Sequence, residues 1–88
     1  MELIIGDQKG NLIIEKDTKI IGSVIGDIKV LGGAKLNLDA KVNGDLYLNK
    51  NSIAYIKGSI SGNIYNYGSS IEFLNSDLNG KVIKPFST

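Results

Sequence analysis

The chain has 88 residues, a formal net charge of +1, and neither cysteine nor histidine. This length predicts a single domain, residues 1–88. Without cysteine there are no disulfides or cysteine–metal sites, and without histidine the commonest general base and metal ligand is missing. All ten basic residues are lysine. With no arginine to bind guanine or phosphate in a bidentate manner, we expect no nucleic-acid partner.

The first ten residues, MELIIGDQKG, predict a strand and not a targeting segment. Their apolar run, residues 3–5, follows the acidic Glu2 and ends at Gly6, whereas a signal peptide has a basic start and a longer apolar core. No stretch approaches the ~18 apolar residues of a membrane-spanning helix. We therefore expect a cytoplasmic protein.

From Val24 onward, one phrase recurs every eighteen residues. It reads VIGDIKV at 24–30, VNGDLYL at 42–48, ISGNIYN at 60–66 and LNGKVIK at 78–84. A weaker unit, two residues short, begins at Gly6. A fixed period of this kind is typical of an architecture in which each repeat stacks on its neighbours.

Four positions of the repeat have a constant character, and we call the residues at one position of successive units a column. Column one is small: Gly6, Gly22, Ala40, Gly58, Ser76. Column three is aliphatic after its first member: Gln8, Val24, Val42, Ile60, Leu78. Column five is always glycine: Gly10, Gly26, Gly44, Gly62, Gly80. Column seven is always aliphatic: Leu12, Ile28, Leu46, Ile64, Val82.

Apolar residues fall at every second position within each unit, which is strand periodicity. Interruptions by Gly, Asn and Asp predict three short strands and three tight bends per unit. Stacked units form an all-β parallel β-helix, or β-solenoid, of four to five turns that lie ~4.8 Å apart. Glycine in column five suits a corner or a close backbone approach, and the Asp27, Asp45 and Asn63 that follow suit turn chemistry.

Asp27 and Asp45 lie one turn apart in column six, where two carboxylates ~5 Å apart could share a proton or a cation. Exposed turn aspartates are the favoured interpretation, and we expect no metal or other cofactor. The sequence contains no nucleophile–base pair and no phosphate-binding loop motif. It therefore predicts a protein that is not an enzyme.

The recurring pattern resembles that of the bactofilins, which are bacterial polymer-forming cytoskeletal proteins. The resemblance is carried by VIGDI at 24–28, VNGDL at 42–46 and ISGNI at 60–64, and it extends from Gly6 to Val82. It implies a right-handed β-helix that polymerises through its end turns and serves as a scaffold beneath the membrane, often localising cell-wall enzymes. Family members carry flexible tails that can contact membrane, but little of this chain lies outside the repeat. Membrane attachment is therefore not expected.

The strand edges at the two ends of a solenoid are the expected sites of self-association, because an unpaired edge templates further pairing. No helical cap is evident at either end of the sequence. The candidate end-to-end interface comprises Leu3, Ile4, Ile5, Leu78, Val82 and Phe86. The sequence leaves open whether two-fold contacts give a non-polar filament or head-to-tail contacts a polar one.

Column eight alternates with column seven and is predicted to face outward. The candidate lateral or partner-binding wall on this side comprises Tyr47, Tyr65, Tyr67 and Ile83, with Lys29 in the same column. Aromatic residues also pair well on strands without any partner. The alternative function is a small protein-binding module, such as a phage-encoded inhibitor or an immunity protein, that acts through this wall.

A second apolar stripe is predicted to face inward at Ile53, Tyr55, Ile71 and Phe73, since Ala54 and Glu72 lie between its members. The apolar Ile56 and Leu74 follow directly and break the alternation. The first full unit has Leu36 and Leu38 in this region. A corner at this point would reconcile the two patterns.

Overall fold

The computed structural model describes residues 1–84, which form ten strands and no helix. The strands are β1 (Glu2–Lys9), β2 (Leu12–Ile14), β3 (Thr18–Ile25), β4 (Ile28–Val30), β5 (Lys35–Asn43), β6 (Leu46–Leu48), β7 (Ile53–Ile60), β8 (Ile64–Asn66), β9 (Ser70–Leu78) and β10 (Val82–Ile83).

The strands form two parallel sheets of five, in the orders β1-β3-β5-β7-β9 and β10-β8-β6-β4-β2. Each turn of the chain adds one long strand to the first sheet and one short strand to the second. The fold is therefore a β-solenoid of five turns, as the repeat predicts. Successive turns are offset by sixteen residues at Glu2↔Thr18 and by eighteen at Thr18↔Leu36, which matches the shorter first unit.

The sequence predicts three strands per turn, but the structure has two, because the bend at column one does not interrupt hydrogen bonding. Gly22 pairs with Gly6 on one side and Ala40 on the other, within continuous ladders. Its φ of +128° redirects the strand without ending it, a conformation that glycine adopts at little cost. One long strand thereby covers two sides of the solenoid.

The core is a set of stacked aliphatic columns inside the coil. Columns three and seven lie there, as the alternation predicts, together with a column that contains Ile20, Leu38 and Ile56. We call this last set the Ile56 column; it begins at Ile4 and ends at Phe73. The middle three turns bury these side chains almost completely: Ile20, Val24, Ile28, Leu38, Val42, Leu46, Ile56, Ile60, Ile64.

Two polar side chains are buried beside this core, and both have partners. Thr18 Oγ1 donates to the Lys16 carbonyl at 2.7 Å, and Ser52 Oγ donates to the Asn49 carbonyl at 2.6 Å. Within residues 1–84 no buried side-chain nitrogen or oxygen lacks a hydrogen-bond partner. Local hydrogen bonds thus satisfy the buried hydroxyl groups at these two bends, so neither leaves an unpaired polar group beside the core.

The prediction that Ile53, Tyr55, Ile71 and Phe73 all face inward is wrong for Ile53 and Tyr55. Ile53 is 38% exposed and Tyr55 is half-buried, whereas Ala54, between them, is fully buried. The cause is register, since β7 and the start of β9 are offset by seventeen residues (Ile53↔Ser70).

A bulge in β9 restores the eighteen-residue offset at Gly58↔Ser76. Ile71 therefore aligns with Ala54 and Phe73 with Ile56, and the extra residue is taken up by Leu74 and Asn75. Asn75 has a φ of +54°, which asparagine tolerates better than most residues. The bulge is the feature that makes strict alternation fail in this part of the sequence.

Candidate assembly and binding surfaces

Column five has glycine because a side chain there would collide with the backbone of the previous turn. A Cβ built on Gly26, Gly44, Gly62 or Gly80 would lie 2.6 to 2.8 Å from the carbonyl carbon of the glycine one turn earlier. Backbone atoms at this distance cannot yield without moving the turn. Gly10, in the first turn, has open space around it but a φ of +101°. The column thus sets the spacing of one corner.

Column six forms a hydrogen-bonded ladder along this corner. Asn11 Oδ1 accepts the backbone N–H of Asp27 at 2.9 Å, and Asp27 Oδ1 accepts that of Asp45 at 2.9 Å. Asp45 Oδ1 accepts the N–H of Asn63 at 2.8 Å, and Asn63 Oδ1 accepts that of Lys81 at 3.0 Å. We call these five residues the Asx ladder.

The ladder gives Asp27 and Asp45 a structural role, since each uses a carboxylate oxygen to bind the next turn. The described part of the chain contains no group of three or more acidic, histidine or cysteine side chains that could hold a metal ion. The ladder itself was not foreseen from the sequence. Its signal is the recurrence of Asn or Asp directly after glycine at the repeat interval.

The predicted lateral wall, Tyr47, Tyr65, Tyr67 and Ile83, is called the tyrosine wall below, and its column-eight members lie on the outer side of the second sheet, as predicted. Tyr47 pairs with Tyr65 across β6 and β8, and Ile83 pairs with Tyr65 across β8 and β10. The two tyrosine rings stack with centroids 4.8 Å apart and planes 7° apart. The rings lie one above the other along the solenoid, so their edges, not their faces, form the outer surface.

Tyr67 lies just beyond β8, and its backbone N–H donates to the Leu48 carbonyl at 2.9 Å. Together with Lys29, Tyr47 and Asn49, it lines a shallow hollow beside the stack.

Partial burial raises the pKa of Tyr47 above its ordinary value of 10.0. The charges of Asp27 and Asp45, followed by those of ionised Tyr65 and Tyr67, raise it further. The structure thus brings all four predicted wall residues to one side of the solenoid.

The N-terminal end of the solenoid is formed by β1 and β2, which are edge strands of the two sheets. Of the interface residues predicted here, Ile4 packs against the core in the Ile56 column. Leu3 and Ile5 lie on the outer side of β1 and are exposed. This end therefore presents a strand edge with apolar side chains on both of its sides.

The C-terminal end is formed by β9 and β10, the opposite edge strands. Leu78 packs against the core, and Val82 closes column seven while remaining 39% exposed. Phe73 closes the Ile56 column and is 45% exposed, an interface candidate that the sequence reasoning missed because of the bulge. Phe86 lies outside the described residues.

Comparisons with family models, curated proteins and solved structures found no match to this chain. Within residues 1–84 the structure has no helix long and apolar enough to span a membrane.

Proposed function

We propose that this chain is a non-enzymatic, cytoplasmic structural protein whose solenoids join end to end into filaments, as the resemblance to bactofilins implies. The observation that supports this most directly is that, within residues 1–84, each end turn leaves a whole strand edge unpaired. The free edge of β1 is eight residues long and that of β9 is nine.

Unpaired edges of this length are templates for another strand, because their N–H and C=O groups already have strand geometry. Soluble solenoids are protected by atypical terminal repeats with a polar outer face. Within residues 1–84 no helix covers either edge, and apolar columns continue to the C-terminal end at Phe73 and Val82. Pairing with a second copy would bury both the edge groups and these side chains.

Negative-stain electron microscopy of the purified chain, with light scattering over a concentration series, tests the proposal. We expect filaments one solenoid wide. Val82→Lys should dissolve them, because it places an ammonium group at the end of column seven. The matched control is Ile25→Lys, which adds the same charge at a side chain that is 52% exposed on β3, a strand paired on both sides. A discrete monomer at every concentration would contradict the proposal.

A second candidate function, a protein-binding module, is favoured by the tyrosine wall. Half-buried, rigid tyrosines with an accessible edge supply contact area at low conformational cost in binding surfaces. The wall lies on the side of the solenoid and reaches an end edge only at Ile83 on β10, so the two functions predict different surfaces. If the chain stays monomeric at every concentration, the wall becomes the surface to test against partners.

A further inference from the structure

The dipeptide Asn-Gly occurs twice in the chain, at Asn43–Gly44 and at Asn79–Gly80. Both copies occupy the same two places of the repeat, columns four and five. Asparagine before glycine is the pair in which the backbone most readily attacks the side-chain amide, because glycine has no side chain to shield its own nitrogen. The two copies therefore share this local chemistry and differ in their place in the fold.

Asn43 lies in an internal turn and is held from both sides. From the preceding turn, the Gly26 N–H donates to the Asn43 carbonyl at 3.1 Å. From the following turn, Ser61 Oγ donates to Asn43 Oδ1 at 3.0 Å, and the Gly62 N–H donates to the Gly44 carbonyl at 3.1 Å. A change of the backbone angles at Asn43 therefore disrupts hydrogen bonds to two turns.

Asn79 lies in the last turn, between the edge strands β9 and β10, and is held from one side. The Asn79 N–H donates to the Ile60 carbonyl at 3.0 Å, and the Lys81 N–H donates to Asn63 Oδ1 at 3.0 Å. The Asn79 side chain is exposed and makes no hydrogen bond within residues 1–84. Since no described strand pairs with the far side of this turn, it opens at a lower free-energy cost than an internal turn.

Attack on the side chain requires the glycine nitrogen to reach the side-chain carbonyl carbon of the asparagine and close a five-membered ring. Extended backbone turns these two atoms away from each other, so the chain must first leave its paired conformation. That opening breaks contacts with two turns at Asn43 and with one turn at Asn79. The fold therefore slows the reaction more strongly at the internal copy than at the end copy.

We infer that Asn79 is a site of spontaneous modification, where the folded chain converts a side-chain amide into a carboxylate, and that the fold protects Asn43 from the same reaction. The Gly80 nitrogen bonds to the side-chain carbonyl carbon of Asn79. The amide group leaves as ammonia and takes up the Gly80 amide proton. Water then opens the resulting five-membered imide at one of its two carbonyls. One opening gives aspartate, and the other gives isoaspartate, whose backbone continues through the former side-chain carbonyl carbon.

The isoaspartate product lengthens the backbone directly before Gly80, where the fold leaves no room. A Cβ built on Gly80 would lie 2.6 Å from the Gly62 carbonyl carbon. The longer chain must bulge outward, so the Lys81 N–H leaves Asn63 Oδ1 and β10 loses its pairing with β8. The modification itself requires no assembly. Its effect on filaments rests on the proposed function, because an altered last turn no longer offers β10 to another copy.

Mass spectrometry compares the two sites within one molecule. The folded chain is incubated in mildly alkaline water labelled with heavy oxygen, which each converted site takes up. Cleavage after lysine then places the two sites in separate peptides, 42–50 and 58–81. We expect Asn79 to convert at least about tenfold faster than Asn43 in the folded chain, and the two rates to agree within about twofold in urea. Asn79→Gln should abolish conversion at this position, because glutamine would have to close a six-membered ring.

Light scattering first sets a concentration at which the chain is monomeric. If the wild type assembles at every concentration, Val82→Lys takes its place once circular dichroism shows that it is folded. Equal rates at Asn79 and Asn43 in the folded monomer would overturn the inference and leave end-to-end assembly untouched. Faster conversion at Asn79 in a chain that never assembles would support the inference while contradicting the proposed function.

Discussion

At the scale of single residues, two adjacent columns hold consecutive turns together at one corner. Glycine in column five has no side chain, so the backbones of consecutive turns can approach each other. The Asn or Asp in column six accepts a hydrogen bond from the backbone N–H of the following turn. The two columns depend on each other, since the Asx oxygen reaches the next N–H only at close approach. The pair of residues Gly-Asx is therefore one structural device repeated along the solenoid.

Gly44→Ala should destabilise the fold by about 2–3 kcal/mol, in the range found for overpacked sites. The added Cβ would lie 2.6 Å from the Gly26 carbonyl carbon, so the turn must shift. Urea unfolding monitored by circular dichroism measures the change. Lys41→Ala, an exposed site in the same turn, should stay within about 0.5 kcal/mol of wild type. Equal stability of the two variants would contradict the close approach.

The ladder predicts that Asp45→Ala costs about 1–2 kcal/mol, because the Asn63 N–H loses its acceptor. Asp45→Asn should retain most of the stability, since the amide oxygen accepts the same bond and asparagine already fills this column at Asn11 and Asn63. Denaturant unfolding of both variants tests the ladder. An equal loss in the two would mean that the negative charge, not the acceptor, is what matters.

The raised pKa of Tyr47 predicts a late step in a phenolate absorbance titration. The folded state holds this proton more tightly than the unfolded chain does. Its contribution to stability is therefore complete below the ordinary value of 10.0 and is lost as pH rises through the raised pKa. Tyr47→Phe should abolish the late step, whereas Tyr55→Phe should keep it. A late step that survives Tyr47→Phe would contradict the assignment.

At the scale of elements, register decides which side chains of the long strands enter the core. The β7–β9 pair changes its offset from seventeen to eighteen residues within one strand. A single-residue slip exchanges the inner and outer faces of a strand, so the bulge after Phe73 is needed to return Leu78 to column three. The irregular last turn thus keeps its apolar residues in line with the core.

Ile56→Ala and Ile53→Ala test this register directly, because the same substitution is made three residues apart on β7. Ile56 is 1% exposed, so Ile56→Ala should lower the free energy of unfolding by about 2–5 kcal/mol. Ile53 lies on the outer side, so Ile53→Ala should lower the free energy of unfolding by less than about 1 kcal/mol. Thermal or urea unfolding gives both values. A reversed order would restore the inward placement of Ile53 and displace Ile56.

At the scale of the whole molecule, a stack of five short turns leaves two of its turns at an end. Each end turn packs against one neighbour only, so assembly adds the contact that it lacks. If only the folded state associates, the apparent free energy of unfolding rises with protein concentration. Folding and end-to-end assembly are therefore linked if the proposed function is correct.

The linkage predicts a melting temperature that rises with protein concentration. Differential scanning calorimetry over a hundredfold dilution series measures it. Val82→Lys should have a melting temperature that is independent of concentration, whereas the control Ile25→Lys should follow the wild type. A wild-type melting temperature that stays constant over the series would separate folding from assembly.

The sequence alone determined the period, a stack of four to five turns and the inner placement of columns three and seven. It also predicted that Tyr47, Tyr65 and Ile83 share one outer column. These features are local and repeated: glycine at a fixed interval marks the closely packed corner, and alternation around it assigns each side chain to a face. Five copies of the same pattern make the register of most of the chain unambiguous.

Only the tertiary structure decided the partners of the Asx residues and the register of β9. The acceptor of each Asp45 or Asn63 amide lies eighteen residues earlier in the chain, and a turn aspartate could equally have bonded within its own turn. The offset between β7 and β9 is one residue short at the start of β9, and the bulge adds one residue later in the same strand. The two changes cancel, so the eighteen-residue interval in the sequence shows no sign of either. Backbone pairing between turns, which no local pattern encodes, is what placed Ile56 inside and Ile53 outside.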